Sequence, residues 1–336
     1  MEELKFVKRY EECMKGWEKK RLPELGLTKL WDLLESCHCG KKCVGESSDG
    51  CGSDLSDSIC RCPDQCSVCD GTFFPLLLKE MSAVVDSFNK RAQKFHKMNL
   101  ASGYRKFVRW LGGKFTRNHE NLMKEGRDLV IYAIINSIAV RKILEKYDKI
   151  HHSKKGQHFK SKAQSMDIEI LQSPWIYELI AFHINLKESK TRKTSMQGLS
   201  CDCSLTIENE KPILSCGICL FDSLKLEIEL SCPICLDSVF DAVALTCGHV
   251  FCYTCSCSAA SVTIIDGLKS AHPKARCPIC RKEGVYKGAA HLDELNVLLR
   301  RRCPDYWGQR RRAERKERMK QIKEHWESQC QAMTGI

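Results

Sequence analysis

A chain of 336 residues with an apolar fraction of 43% has room for two domains and argues against wholesale disorder. Its net charge of +12 favours an anionic partner without choosing among nucleic acid, acidic lipid and polyphosphate. Residues 129–140, the longest apolar stretch, are too short to cross a bilayer, and the charged start Glu2-Glu3-Leu4-Lys5 lacks a signal peptide's apolar core, so the 23 cysteines point to metal rather than disulfides.

Nine cysteines lie from Cys13 to Cys69, and thirteen from Cys201 to Cys303. Within the first group, residues 40–57 are rich in Gly, Ser and Asp and read as an exposed loop. Cys60, Cys62, Cys66 and Cys69, with Cys37, His38, Cys39, Cys43 and Cys51 nearby, are too loosely spaced for a compelling metal site and read as thiols of an insert.

The cysteine-free middle is helical in pattern. Phe73, Leu77, Met81, Val84, Phe88, Ala92 and Phe95 recur at three- and four-residue steps, with Pro75 suited to the first turn. Leu122, Leu129, Ala133, Asn136, Val140, Ile143 and Tyr147 form a second stripe, residues 159–170 a shorter third, and Ser173-Pro174 opens a further helix through Leu186. These predict an α-helical bundle over residues 1–186, followed by a polar, aperiodic linker over 187–225. Leu292, Leu295, Leu298 and Leu299 mark an apolar patch within a helical, basic tail over 291–336. Glu314, Glu317 and Glu324 space the tail's charges as on a solvated helix, and no aromatic stacking platform accompanies them, so nucleic acid is not expected as a partner.

Between linker and tail lies the strongest signal. Cys232-x2-Cys235 is followed by eleven residues, then Cys247-x-His249-x2-Cys252-x2-Cys255, then twenty-one residues and Cys277-x2-Cys280. A Cys-x-x-Cys turn aims two thiolates at one ion, and tetrahedral zinc needs two such pairs, so eight ligands imply two ions. The centre is too compact for sequential pairing, and interleaving is the better geometry. Four protein ligands per ion leave no open position, which makes the zinc structural. Cys216 and Cys219, and the extra Cys257, fall outside the pattern.

This order resembles the RING finger, and the resemblance implies a small cross-braced α+β domain over 226–290. It assigns Cys232, Cys235, Cys252 and Cys255 to one zinc, and Cys247, His249, Cys277 and Cys280 to the other. RING domains recruit a ubiquitin-conjugating enzyme charged with ubiquitin. By resemblance its apolar shelf comprises Ile234 and Pro278, with Leu236 and Val239 beside them. Arg281 holds the place of a basic residue that orients ubiquitin for transfer, a catalytic role exercised through geometry.

Lys5-Phe6, Leu22-Pro23-Glu24-Leu25-Gly26, Cys69-Asp70-Gly71-Thr72-Phe73-Phe74, residues 141–149 and Ser173-Pro174-Trp175 make the first region resemble an SPX domain. SPX followed by RING is the arrangement of the plant nitrogen-limitation-adaptation ligases, a resemblance that covers nearly the whole chain. It implies an E3 ubiquitin ligase that senses phosphate status by binding inositol polyphosphate, through Lys5, Lys142, Lys146 and Lys149. It further implies a plasma-membrane phosphate transporter as substrate. The expected locations are the cytoplasm and the inner face of the plasma membrane, with the nucleus open. Leu27, Trp31, Asp32 and Glu145 depart from the family's basic pattern and weaken the expected anion site. The alternative is a non-catalytic phosphate-sensing adaptor.

Overall fold

In the computed structural model, residues 2–18, 22–36, 69–99, 116–166, 168–189, 201–208, 211–218 and 225–334 are described. Residues 37–68, 100–115, 190–200, 219–224 and the shorter remaining gaps lie outside that set, and with them the loop read at 40–57 and the thiols Cys60, Cys62 and Cys66. The chain forms two compact units, residues 1–88 with 134–170, and residues 89–133 with 171–336.

The first unit is helical. Helix α1 (Glu2–Glu18) buries Val7, Tyr10, Met14 and Trp17, a stripe at steps of three, four and three. Helix α2 (Leu27–Ser36) buries Leu27, Leu30, Trp31 and Leu34 in the same way. A π-helical turn at Cys69–Phe73 leads into α3 (Phe74–Asn99), followed by α4 (Thr116–His151) and α5 (Lys155–Ser165). Tyr10 ties three segments together: its hydroxyl donates to buried Asn136 Oδ1 at 2.9 Å and accepts from the Leu25 N–H at 2.8 Å. A buried amide is tolerated where such a partner meets it. Phe73 stacks on Tyr147, and Phe74 on Phe159, with ring centroids 5.1 and 4.9 Å apart. Asp148 accepts the Gly156 N–H at 2.7 Å, an approach that a β-carbon at position 156 would block, 2.9 Å from the carboxylate.

In the second unit, α6 (Pro174–Ser189) buries Ile176, Leu179, Ile180, Ala181, Phe182 and Ile184, so it is apolar around most of its girth. Phe95 meets Phe182 edge-on at 5.3 Å, over a spot where Gly126 has no side chain to obstruct. The segment expected to be a linker contains a three-stranded antiparallel sheet instead: β1 (Cys201–Glu208), β2 (Lys211–Ile218) and β3 (Lys225–Glu229) in that order. Cys203 and Leu205 on β1 face Cys216 and Leu214 on β2, and all four are buried. Strand β1 alternates strictly, with Cys201, Cys203, Leu205 and Ile207 separated by polar residues, a strand signal that the linker reading passed over. Cys203 and Cys216 form a disulfide, so Cys216 is engaged away from the zinc pattern.

The cross-brace region follows. Strands β4 (Ala242–Ala244), β5 (Val250–Cys252) and β6 (Ala290–His291) make a small sheet ordered β5-β4-β6, with helix α7 (Tyr253–Ala259) after β5. Val243, Leu245, Phe251, Val285 and Tyr286 form its core. Leu292 just before helix α8 (Asp293–Arg302) and Leu295, Leu298 and Leu299 on it are buried, and α9 (Pro304–Thr334) ends the described chain. No helix among the described residues is long and apolar enough to cross a membrane.

Candidate metal centres and their surroundings

The two zinc turns are built alike. Cys232-Pro-Ile-Cys235 closes with Leu236 N–H to Cys232 O at 2.8 Å, and Cys277-Pro-Ile-Cys280 with Arg281 N–H to Cys277 O at 3.0 Å. The Cys232 N–H reaches Asp237 O at 2.8 Å, and the Cys277 N–H reaches Lys282 O at 2.9 Å. Each turn is therefore a tight loop that puts two sulfurs on one side and the Pro-Ile pair on the other. The cost falls on the residue after it: Leu236 and Arg281 both have φ of 62°, the left-handed region that side chains avoid by about 1–2 kcal/mol.

Two tetrads result: Cys232, Cys235, Cys252 and Cys255, and Cys247, His249, Cys277 and Cys280, the donor atoms of each lying within 4.8 Å of one another. Ligands at about 2.3 Å around a tetrahedral zinc would place sulfurs about 3.8 Å apart. Cys235 Sγ and Cys252 Sγ are 3.8 Å apart. His249 offers Nδ1, 3.4 Å from Cys247 Sγ and 3.7 Å from Cys277 Sγ. The donor sets thus fit two zinc ions, interleaved along the chain as the cross-brace requires. Burial pushes the Cys247 and Cys277 thiols of the second tetrad upward, so a cation is what favours their thiolate forms there. Buried Cys257 belongs to neither tetrad.

The RING-type zinc-finger family matches residues 232–271, a stretch that stops short of Cys277 and Cys280, which the geometry supplies. "Probable E3 ubiquitin-protein ligase BAH1-like 1" of Oryza sativa subsp. indica is 54% identical over 333 residues, 99% of this chain and 100% of that protein. "E3 ubiquitin-protein ligase NLA" of Arabidopsis thaliana is 52% identical over 344 residues, again 99% and 100%. The chain belongs to the NLA/BAH1-like family of RING-type E3 ubiquitin ligases. A further member, "Probable E3 ubiquitin-protein ligase BAH1-like" of Arabidopsis thaliana, is 38% identical over 344 residues. No solved structure matches the chain.

In this NLA/BAH1-like ligase the residues expected to form the docking shelf differ in exposure. Ile234 and Leu236 are 39% and 75% exposed, Pro278 is half-buried beside Ile279 at 45%, and Arg281 is exposed. Val239 is the exception: it is buried, its N–H bonded to Leu230 O at 3.0 Å, and belongs to the core. Ile279 was not singled out by the resemblance, although the repeated Cys-Pro-Ile-Cys makes it the twin of Ile234.

Contacts that sequence spacing could not reveal lock the RING to its neighbours. Glu178 of α6, fully buried, accepts N–H bonds from Glu294 at 2.8 Å and Leu295 at 3.2 Å, capping the start of α8. Asn185 donates to Glu294 Oε2 at 2.8 Å and to its carbonyl at 2.9 Å, and accepts from Arg301 at 2.8 Å. Burial pushes the Glu178 carboxyl well above its usual range, with Glu294 adding repulsion and the two N–H bonds opposing. Gly248, between ligands Cys247 and His249, lies so close to Gln172 that a β-carbon there would stand 1.9 Å from the Gln172 carbonyl oxygen.

In the helical unit, Lys5, Lys142 and Lys149 are exposed. Lys146 is engaged: its ammonium lies 3.1 Å from Glu35 Oε1 and 3.4 Å from the centroid of the Trp31 ring. Trp31 Nε1 donates to the same carboxylate at 2.8 Å. Hydrogen bonds from Lys146 and then Trp31 hold the Glu35 carboxyl below its usual range.

Proposed function

We propose that this ligase seats a ubiquitin-charged conjugating enzyme on the Ile234, Leu236 and Pro278 face, with Arg281 positioning ubiquitin for attack. The observation that carries the reading is the pair of matching zinc turns, each presenting an exposed isoleucine, Ile234 and Ile279, away from its sulfurs. An apolar patch held on a metal-braced frame is preorganised for docking. Transfer then needs no covalent intermediate on the ligase itself. The lysine amine of the substrate attacks the thioester carbonyl and the conjugating enzyme's cysteine thiolate leaves, while the ligase contributes orientation.

The same reading makes the N-terminal helical region an SPX-type sensor of inositol polyphosphate that recruits a plasma-membrane phosphate transporter. Sequence resemblance and the exposure of Lys5, Lys142 and Lys149 support it. The cytoplasm and the inner face of the plasma membrane are the corresponding locations.

Two measurements test these points on the full chain. Single-turnover discharge of a ubiquitin thioester should be abolished by Ile234→Ala and slowed about tenfold by Arg281→Ala, the latter with binding of the conjugating enzyme unchanged. Equal discharge by wild type and Ile234→Ala would refute the docking face. Calorimetry with inositol hexakisphosphate should show binding that Lys142→Ala and Lys149→Ala weaken, and no heat from the wild-type chain would refute the sensor.

A further inference from the structure

Helix α9 is basic on its outer side, where Arg311, Arg312, Arg315 and Lys316 are exposed. The side it turns to the RING is different. Positions 310, 314, 317, 318 and 321 lie on the side turned to the RING, which carries Arg310, Glu314, Glu317, Arg318 and Gln321. Thr254 of α7 donates to Glu314 Oε1 at 2.7 Å, and Arg310 lies 3.7 Å from Asp237 just past the first zinc turn. Gln321 works in both directions: Oε1 accepts the Ile264 N–H at 3.2 Å, and Nε2 donates to Glu317 Oε1 at 3.0 Å. Phe240 and Trp307 pack with ring centroids 4.4 Å apart and anchor the start of the helix.

These contacts leave a groove between α7 and α9. Ile234 stands at one edge, Ser258, Val262 and Ile264 line it, and Glu317 with Gln321 supply the far side. Ile234 is the residue assigned above to the conjugating enzyme, so the groove is continuous with that face. The α7 contribution to it is shallow, since Ser258 and Cys257 are small. Depth comes from the twenty-one-residue spacer after Cys255, folded back under Gln321, and from α9 itself.

We propose that α9 forms the second wall of the conjugating enzyme's seat, with Glu317 selecting for a conjugating enzyme that carries a basic side chain beside its apolar docking loop. The inference rests on the docking face proposed above. Charge supports it: the charged side chain that lines the groove is the exposed carboxylate of Glu317, with Arg318 lying beside it toward Cys257. An acidic rim beside an apolar floor matches a partner loop that is apolar at its tip and cationic at its flank. Gln321 is a positioning residue, holding both the Glu317 carboxylate and the Ile264 backbone.

The test uses the full zinc-loaded chain and a panel of ubiquitin-charged conjugating enzymes in single-turnover discharge at varied concentration. Glu317→Arg is expected to raise the half-saturating concentration tenfold or more for conjugating enzymes with a basic flank. It should leave the maximal rate within twofold and change the rank order of the panel. Glu317→Gln should act in the same direction by about threefold, and reversing the basic residue on the conjugating enzyme should rescue Glu317→Arg. Arg312→Glu, on the outer side, should leave half-saturation unchanged. Loss of discharge in Ile234→Ala with no effect of either Glu317 variant on any conjugating enzyme would overturn the α9 wall and leave the docking face standing. Normal discharge by Ile234→Ala would overturn both. A Glu317→Arg chain that changes its sedimentation but not its discharge would assign the groove to a second copy and likewise overturn the proposal.

Discussion

Replacing Glu178 tests the coupling between α6 and the RING most directly. In the native protein its carboxyl meets two backbone N–H groups at the start of α8. Glu178→Ala strands both donors in a buried site, at about 1–3 kcal/mol each. It also removes repulsion from Glu294 and the penalty of burying a charge, which offsets part of that loss. A net destabilisation of about 2–4 kcal/mol follows, or about 5–10 °C in melting temperature for a unit of roughly 200 residues. The sign of its pH dependence is fixed by the raised folded-state pKa. An unfolded glutamate titrates near about 4.3, so the Glu178 contribution is complete below that pH and is lost as pH rises through the higher folded value. Facing groups do not reverse this: Glu294 and Asp293 repel the carboxylate, and His96, 3.7 Å away, is itself pushed by burial toward its neutral form. The Glu178→Ala deficit should therefore be largest in mild acid and shrink toward pH 9, and Glu178→Gln should gain on the wild type as pH rises. Thermal unfolding followed by circular dichroism, with zinc in excess, measures the differences, and protonation of the zinc ligands cancels among the three chains. A Glu178→Ala deficit that grows with pH would refute the reasoning.

Three further outcomes are expected. Chelation of zinc, or Cys277→Ala, should unfold the region around both tetrads and abolish ubiquitin discharge, read by loss of ellipticity together with zinc release, because the metal's binding energy is folding energy there. Gly248→Ala should cost roughly 1–3 kcal/mol from its φ of 84° alone, and more from the clash with Gln172, lowering the melting temperature more than any exposed-site alanine. Glu35→Gln should change stability by less than about 1 kcal/mol, since the Glu35 carboxylate is half-exposed and screened by water, while removing one anion that competes for Lys146 and tightening inositol hexakisphosphate in calorimetry.

What could be read from the sequence follows from how local each signal is. The zinc ligands were legible because tetrahedral geometry is written into Cys-x2-Cys and Cys-x-His spacing, and the structure brings together the same eight side chains. The helices of the middle region were legible from period alone, and the Val7, Tyr10, Met14 and Trp17 stripe of α1 carries the same signal. The sheet before the RING was not read, although β1 carries a period of two; β2 buries the consecutive Leu214, Ser215 and Cys216, which hides its alternation, and the pairing is set by cross-strand register. Lys146 shows the limit for charged residues. Its spacing with Lys142 and Lys149 predicts one basic helix face, but Glu35, 111 positions away, decides how much of that charge is free.

The larger omission concerns which residues make the RING stand. Residues 232–280 are too few to bury an adequate core, and zinc compensates for part of that. The structure shows the rest of the support arriving from outside the motif. Glu178 and Asn185 of α6 cap and brace α8, α8 lends Asn296 to Ala242 at the edge of β4, and Gln172 presses on the glycine between two ligands of the second site. A chain cut at residue 226 would keep all eight ligands and lose the cap on α8 and the carbonyl that fits Gly248. Glu178 and Asn185 therefore tie α6 to α8, and a displacement of α6 relative to α8 must break buried hydrogen bonds at both residues.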